Sequence, residues 1–125
     1  MTKRAITAAP LEALGPYSLA IEDDGTLYLS GQIHIDPAKG ALLEGSVGDQ
    51  TRQCLENLKA VLASARYDFS NIVKTTVFLA DMGDFPAMNE VYATYMVEPF
   101  PARSTIQVAG LPLGARVEIE AIARK

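Results

Sequence analysis

The chain reads as an α+β domain, one sheet with two helices packed on one of its faces. Two segments carry apolar residues at spacings of three and four, the period of a helix lying on a core. Other segments are short, rich in β-branched residues and bounded by Gly, Pro and Asp turns. Their order is strand, strand, helix, strand, helix, strand, strand, with room for extra short strands early on. At 125 residues, one domain spanning 1–125 with one core is expected. Helices on one face leave the other face to water or a partner, and the apolar residues expected there favour a partner subunit.

Residues 17–33, YSLAIEDDGTLYLSGQI, form a predicted hairpin. Asp24-Gly25 is a two-residue turn signal, because Gly25 accepts the positive φ such turns require. The second arm, Thr26 to Ser30, is expected to end at Gly31. IDPAKGALL (35–43) reads as a loop leading into another short strand. SVGDQTRQCLENLKAVLASAR (46–66) is the strongest helix, with Ser46 as N-cap and Asp49 at its positive end. Cys54, Leu55, Leu58, Val61, Leu62 and Ala65 form its apolar stripe, while Arg52, Lys59 and Arg66 repeat on a solvated face. NIVKTTVFLAD (71–81) is a strand. DFPAMNEVYATYM (84–96) is the second helix, with Asp84 as a cap, a stripe of Phe85, Met88, Val91, Tyr92 and Tyr95, and Pro99 and Pro101 to stop it. ARSTIQV (102–108), the turn AGLPLG (109–114) and ARVEIEAIA (115–123) complete the sheet.

Composition narrows the function. The net charge is −4, with 15 acidic and 11 basic residues, and the basic ones form no stripe and are not interleaved with aromatics. Nucleic-acid binding therefore gets no electrostatic support. An anionic small molecule is compatible, since one well-placed arginine suffices. No apolar run is long enough for a membrane helix, and none follows the basic N-terminus MTKRAITAAP, so no membrane span or secretory signal is expected. The single cysteine, Cys54, cannot form an internal disulfide, which makes a reducing cytoplasm the expected compartment.

The conspicuous chemistry is at the C-terminus. Side chains alternate along a strand, so Arg103, Thr105 and Gln107 point one way, and Arg116, Glu118 and Glu120 share a face of the last strand opposite Val117, Ile119 and Ala121. If these strands are neighbours, Arg103 lies within reach of Glu118 or Glu120 across a common polar surface. Such a pair has two readings. One is a cross-strand ion pair on a wet face, the more common arrangement, contributing at most ~1 kcal/mol. The other is an arginine whose planar fork grips a substrate carboxylate beside a glutamate that handles a water. The single histidine, His34, lacks a second His or Cys nearby, so no metal site is expected and a surface position is the simpler reading. Cys54, on the apolar stripe, reads as a small core residue.

PFPARSTIQVAGLPLGARVEIEAIA (99–123) closely resembles the C-terminal signature of the Rid family, the reactive-intermediate deaminases, also called the YjgF family. GPYS (15–18), LSGQI (29–33) and DFPAMNEVY (84–92) match in order and spacing, and GDQTRQCLENLKAVL and IVKTTVFLADM resemble the family's first helix and following strand. The resemblance implies a chorismate-mutase-like fold, a homotrimer closing a central barrel, and ligand sites in the clefts between subunits. It implies hydrolysis of 2-imino and enamine acids such as 2-iminobutanoate and 2-iminopropanoate to 2-oxo acids and ammonia, with neither cofactor nor metal.

By that resemblance, Arg103 clamps the substrate carboxylate, Glu118 positions the water and Tyr17 lines the site. Ser30 and Gly31 offer backbone contacts, Asn89 stands near the same cleft, and Thr105 replaces the cysteine of many bacterial members with its N–H towards the carboxylate. Leu19 replaces a polar residue common after GPYS, Gly110 and Leu113 stand where many deaminases carry basic residues, and His34 stands where many relatives have proline. The competing reading is a binding module that senses small 2-oxo or amino acids without turnover. The presence of both Arg103 and Glu118 favours the enzyme, because a carboxylate sensor needs only the arginine.

Overall fold

The computed structural model describes residues 3–125; the first two residues of the basic N-terminal stretch lie outside them. Among the described residues there are eight strands and two α-helices: β1 (Arg4–Ile6), β2 (Ala20–Asp23), β3 (Thr26–Ile33), β4 (Ile35–Asp36), β5 (Ala41–Leu42), α1 (Val47–Ser64), β6 (Ile72–Leu79), α2 (Phe85–Tyr95), β7 (Ala102–Gln107) and β8 (Val117–Arg124). Six strands form one mixed sheet in the order β1-β2-β3-β8-β6-β7, and β4 and β5 make a separate ribbon. Every pairing in the large sheet is antiparallel except β6 with β7, which α2 connects as a crossover.

Local sequence explains most boundaries. The β2–β3 turn places Asp24 at φ 52° and Gly25 at φ 80°, the paired positive angles that an Asp-Gly hairpin supplies. The Ser46 hydroxyl accepts the Asp49 N–H at 3.0 Å, capping α1 as expected. Asp84 begins α2 but makes no capping hydrogen bond; its backbone is already helical, and its carboxylate faces Arg116 at 3.6 Å. The short edge strand β1 was not foreseen; an ion pair between Arg4 and Glu22 ties it to β2.

The helices cover one face of the sheet. Leu55, Leu58 and Leu62 of α1, Met88 of α2, and Leu27, Leu79 and Ile119 of the sheet have less than 2% of their surface exposed. Both predicted stripes are the buried faces, with Phe85 and Tyr95 partly buried at the margin. The opposite face carries exposed apolar side chains among its polar ones, including Tyr28, Ile106 and Ile122.

Two expectations are corrected. β3 does not stop at Gly31; it bulges between Leu29 and Gln32 and continues to Ile33, where it still pairs with β8. And β7 and β8 are not neighbours, because β6 lies between them. In the parallel β6–β7 ladder Arg103 pairs with Thr75 and Thr105 with Val77, residues facing the helices, whereas Glu118 and Glu120 pair with Phe78 and Thr76 on the other side. Arg103 and Glu118 therefore point to opposite faces, and the cross-strand pair does not form. The crossover through α2 makes β7 the edge, a topology that alternation along each strand does not reveal.

Leu58 is fully buried between helix and sheet. Leu58→Ala is expected to cost about 2–5 kcal/mol in chemical denaturation, while Ser46→Ala, which removes only the cap, should cost about 1 kcal/mol.

Candidate functional site

The residues singled out in the sequence fall into two clusters. The first surrounds Glu118. β8 carries it on the outer face opposite Ile33, beside the β3 bulge. The bulge brings Gly31 so close that an added Cβ would lie 2.4 Å from Glu118 Oε2, so any larger residue would displace the carboxylate. Tyr17, Gly31 and Glu118 line a cavity of about 370 Å³, with Leu14, Leu19 and Pro112 among its other walls. Ser30 works from behind. Its hydroxyl donates to the Ser18 carbonyl at 2.6 Å and its N–H to the Leu19 carbonyl at 3.0 Å, seating the segment that carries Tyr17 against β3. The Tyr17 hydroxyl accepts the Leu14 N–H at 3.2 Å, and the ring is half exposed.

Partial burial and, secondarily, the neighbouring Glu120 carboxylate raise the Glu118 pKa above the ordinary glutamate value. A carboxylate with raised proton affinity is suited to taking a proton from water near neutrality.

The second cluster surrounds Arg103 on the helix-facing side at the β7 edge. Its Nη1 donates to Asn89 Oδ1 at 2.7 Å. The guanidinium carbon lies 4.7 Å from the Tyr92 ring centroid and 5.4 Å from that of Phe85. Stacking of this kind contributes about 0.5–2 kcal/mol and fixes the plane of the fork. Tyr92 is anchored in turn by a 2.7 Å hydrogen bond between its hydroxyl and Thr75 Oγ1. Arg103, Asn89 and Tyr92 line a second cavity of about 370 Å³, with Met96, Phe100 and Pro101 opposite. Thr105, two residues along the same face, has its hydroxyl oxygen buried without a hydrogen-bond partner.

The structure thus brings Tyr17, Gly31 and Glu118 together with Ser30 in support, and separately gathers Asn89 and Arg103 with Thr105 alongside. It does not join the clusters within one chain. Sequence reasoning assigned Phe85 and Tyr92 to packing alone; their spacing from Asn89, four before and three after, places all three on one helix face and was the available signal. Of the departures, Leu19 is buried in the core and lines the Glu118 cavity, Leu113 projects into solvent with φ 59°, and Gly110 has open space around its Cα.

His34 is corrected. It is 2% exposed and bridges two segments, with Nδ1 3.0 Å from the Leu43 carbonyl and Nε2 3.1 Å from the Arg116 N–H. Cys54 is fully buried, and desolvation pushes its thiol pKa far up, leaving it inert as expected for a core residue. Among the described residues no cluster of three or more His, Cys, Asp or Glu is disposed to hold a metal, and no helix is long and apolar enough to cross a membrane.

The raised pKa of Glu118 fixes a stability signature. The folded protein holds the Glu118 proton more tightly than the unfolded chain, so the stability this group contributes is fully present below the ordinary value of 4.5 and is lost as pH rises through the folded pKa. Glu118→Gln, which cannot ionise, is expected to have a higher Tm than wild type at pH ~8, with the pH-dependent part of the gap closing as pH falls towards ~4.5. Thermal scans across this range check it.

Comparison with known proteins places this geometry. The sequence profile described as Endoribonuclease L-PSP matches residues 7–125. The chain is 54% identical over 117 residues to the 2-iminobutanoate/2-iminopropanoate deaminase of Mus musculus, covering 94% of this chain and 86% of that protein. It is 48% identical over 124 residues to the Homo sapiens protein of the same name, covering 98% and 90%. Among solved structures, it superposes on the Rid-family protein YyfA of Yersinia pestis with a TM-score of 0.91 at 47% identity, covering 98% of this chain and 99% of that one. TdcF of E. coli with bound serine superposes with a TM-score of 0.91 at 38% identity and the same coverage. The chain belongs to the endoribonuclease L-PSP family, the group also called the Rid family.

Proposed function

We propose that the protein hydrolyses reactive 2-imino and enamine acids, 2-iminobutanoate and 2-iminopropanoate among them, to 2-oxo acids and ammonia, at sites that each draw on two copies of the chain. The carrying observation is the placement of the two clusters: Arg103 with Asn89 on the helix side of the sheet edge, suited to grip a carboxylate, and Glu118 with its raised pKa on the outer face, suited to accept a proton. Each is incomplete alone. A second copy docked on the apolar outer face, where Tyr28, Ile106 and Ile122 are exposed, unites one copy's Arg103 with the next copy's Glu118. Three copies related in this way close a ring, the homotrimeric barrel that the family resemblance implies. The deaminase activity named for the relatives at 48–54% identity agrees with this chemistry.

The reaction needs little beyond placement. Arg103 has five N–H donors, one of them given to Asn89, which leaves a fork for two charge-assisted hydrogen bonds to the substrate carboxylate. The backbone N–H groups near Gly31 and Thr105 are suited to hold the remaining polar atoms. Glu118 takes a proton as water adds to the carbon of the protonated imine, forming a neutral carbinolamine, and then returns that proton to the amine nitrogen. The C–N bond then breaks, the hydroxyl proton leaves, and ammonia departs with the proton it gains, so imine plus water becomes 2-oxo acid plus ammonia. Neither a covalent nucleophile nor a metal is assigned a step.

The serine bound to TdcF carries the same α-carboxylate, so recognition of small amino or 2-oxo acids without turnover is the alternative. The raised proton affinity of Glu118 favours turnover, since a sensor has no use for it. The family's description as an endoribonuclease finds no electrostatic support in an acidic chain with scattered basic residues. With its single cysteine buried and reduced, the proposed compartment is the cytoplasm.

The test uses 2-iminopropanoate generated in situ by an amino-acid oxidase. Arg103→Ala should lower kcat/KM by ~10²-fold or more, the loss of two charge-assisted hydrogen bonds. Wild type no faster than buffer would leave the sensor reading. Mixing inactive Arg103→Ala and Glu118→Gln protein, with subunit exchange, should restore part of the activity, because some interfaces then hold both intact residues. If exchange is confirmed and no activity returns, the shared site is wrong.

A further inference from the structure

We propose that His34 is a positioning residue for Glu118: its neutral imidazole holds β8 in place where β3 leaves it, and protonation of the ring releases that hold and shuts hydrolysis down on the acid side. The proposal rests on the reading of Glu118 as the group that handles water. Ile33 is the last β3 residue paired with β8, and its partner is Glu118. The next residue, His34, replaces the ladder with its ring: Nε2 meets the Arg116 N–H at 3.1 Å, two residues before Glu118 on the same run of chain. Its Nδ1 lies 3.0 Å from the Leu43 carbonyl, and its own carbonyl accepts the Leu43 N–H at 2.7 Å.

These partners determine the protonation state. A carbonyl only accepts, so Nδ1 carries the proton; an amide N–H only donates, so Nε2 offers its lone pair. A protonated ring would turn N–H against N–H at Arg116 in a site that is 2% exposed. The charged group bearing on the ring is the Arg116 guanidinium, which is itself 3.6 Å from Asp84; the Gln50 amide, which shares the Leu43 carbonyl at 3.2 Å, is neutral. Glu118 and Glu120 lie two and four residues beyond Arg116, on the outer face. Burial foremost, and then Arg116, hold the His34 pKa below the ordinary value of 6.5, against the Leu43 hydrogen bond. Stability tied to the neutral ring is therefore present above 6.5 and lost as pH falls through the folded pKa. Glu118 has little room to absorb a shift of its strand, given the close approach at Gly31.

The experiment measures kcat and KM for 2-iminopropanoate from about pH 5 to about pH 9, buffer reaction subtracted, for wild type, His34→Gln, His34→Leu and Glu118→Gln. Wild type should fall more than about tenfold per pH unit at the acid end, because His34 and Glu118 both take protons there. His34→Gln, whose amide oxygen can receive the Arg116 N–H without titrating, should keep at least about half of the wild-type kcat/KM at pH ~8 and fall no more steeply than one proton allows. His34→Leu should lose about tenfold in kcat with KM within about twofold, its folding checked by circular dichroism. Superimposed acid limbs for wild type and His34→Gln, with Glu118→Gln inactive, overturn the role of His34 alone. Full activity in Glu118→Gln overturns the water-handling reading and the role of His34 with it.

Discussion

A strand shows its side chains alternately to the two faces of its sheet, and this separation governs the rest of the molecule. Val117, Ile119 and Ala121 of β8 face the helices and complete the core, which commits Glu118 and Glu120 to the outer face. The parallel pairing of β7 with β6 commits Arg103 to the helix side at the sheet edge. No side-chain rotation can bring a guanidinium and a carboxylate together across a packed sheet. Any chemistry that needs both must recruit the second from another molecule.

Arg103 and Glu118 are each held within one chain, by different means. Arg103 lies over two aromatic rings, with Asn89 fixing one nitrogen and a buried Thr75–Tyr92 hydrogen bond steadying the nearer ring. Its charge is always present, so the protein spends structure on direction. Glu118 is a titrating group and is tuned in proton affinity instead, by partial burial and a like-charged neighbour. Its direction comes from backbone: the bulge that brings Gly31 against it and the imidazole bridge at Arg116. Asn57 of α1 supports this end, its amide reaching the Ile33 and Ile35 carbonyls at 3.4 and 2.9 Å, where an unpaired main-chain oxygen would otherwise be buried.

Local patterns recovered the elements well. The Asp24-Gly25 turn, the Ser46 cap and both apolar stripes are encoded within a few residues of where they act, and the structure agrees with each. Strand order is not encoded so locally. Arg103 and Glu118 looked like neighbours because their strands follow one another in the chain, yet β6, from before α2, inserts between them. The bulge at Gly31 was also hidden: glycine near a strand end suits termination as readily as a close approach, and only the position of Glu118 decides between them. The aromatic bed under Arg103 was visible as spacing but read as packing, since Phe85 and Tyr92 do both. His34 was misjudged for the same reason a lone polar residue often is, because its partners are backbone atoms that no side-chain pattern announces.

The placement of the two half-sites on opposite faces has a consequence for abundance. A protein whose active unit is a single folded chain loses output in proportion to its amount. With the site shared between copies as proposed, output would follow the concentration of associated copies, so near the dissociation threshold a twofold drop in chain number would remove more than half of the turnover. Expression level would then be a steep dial for this chemistry, and a subunit lacking one of the two charged groups would silence the one site that group serves while still completing the site at its other interface.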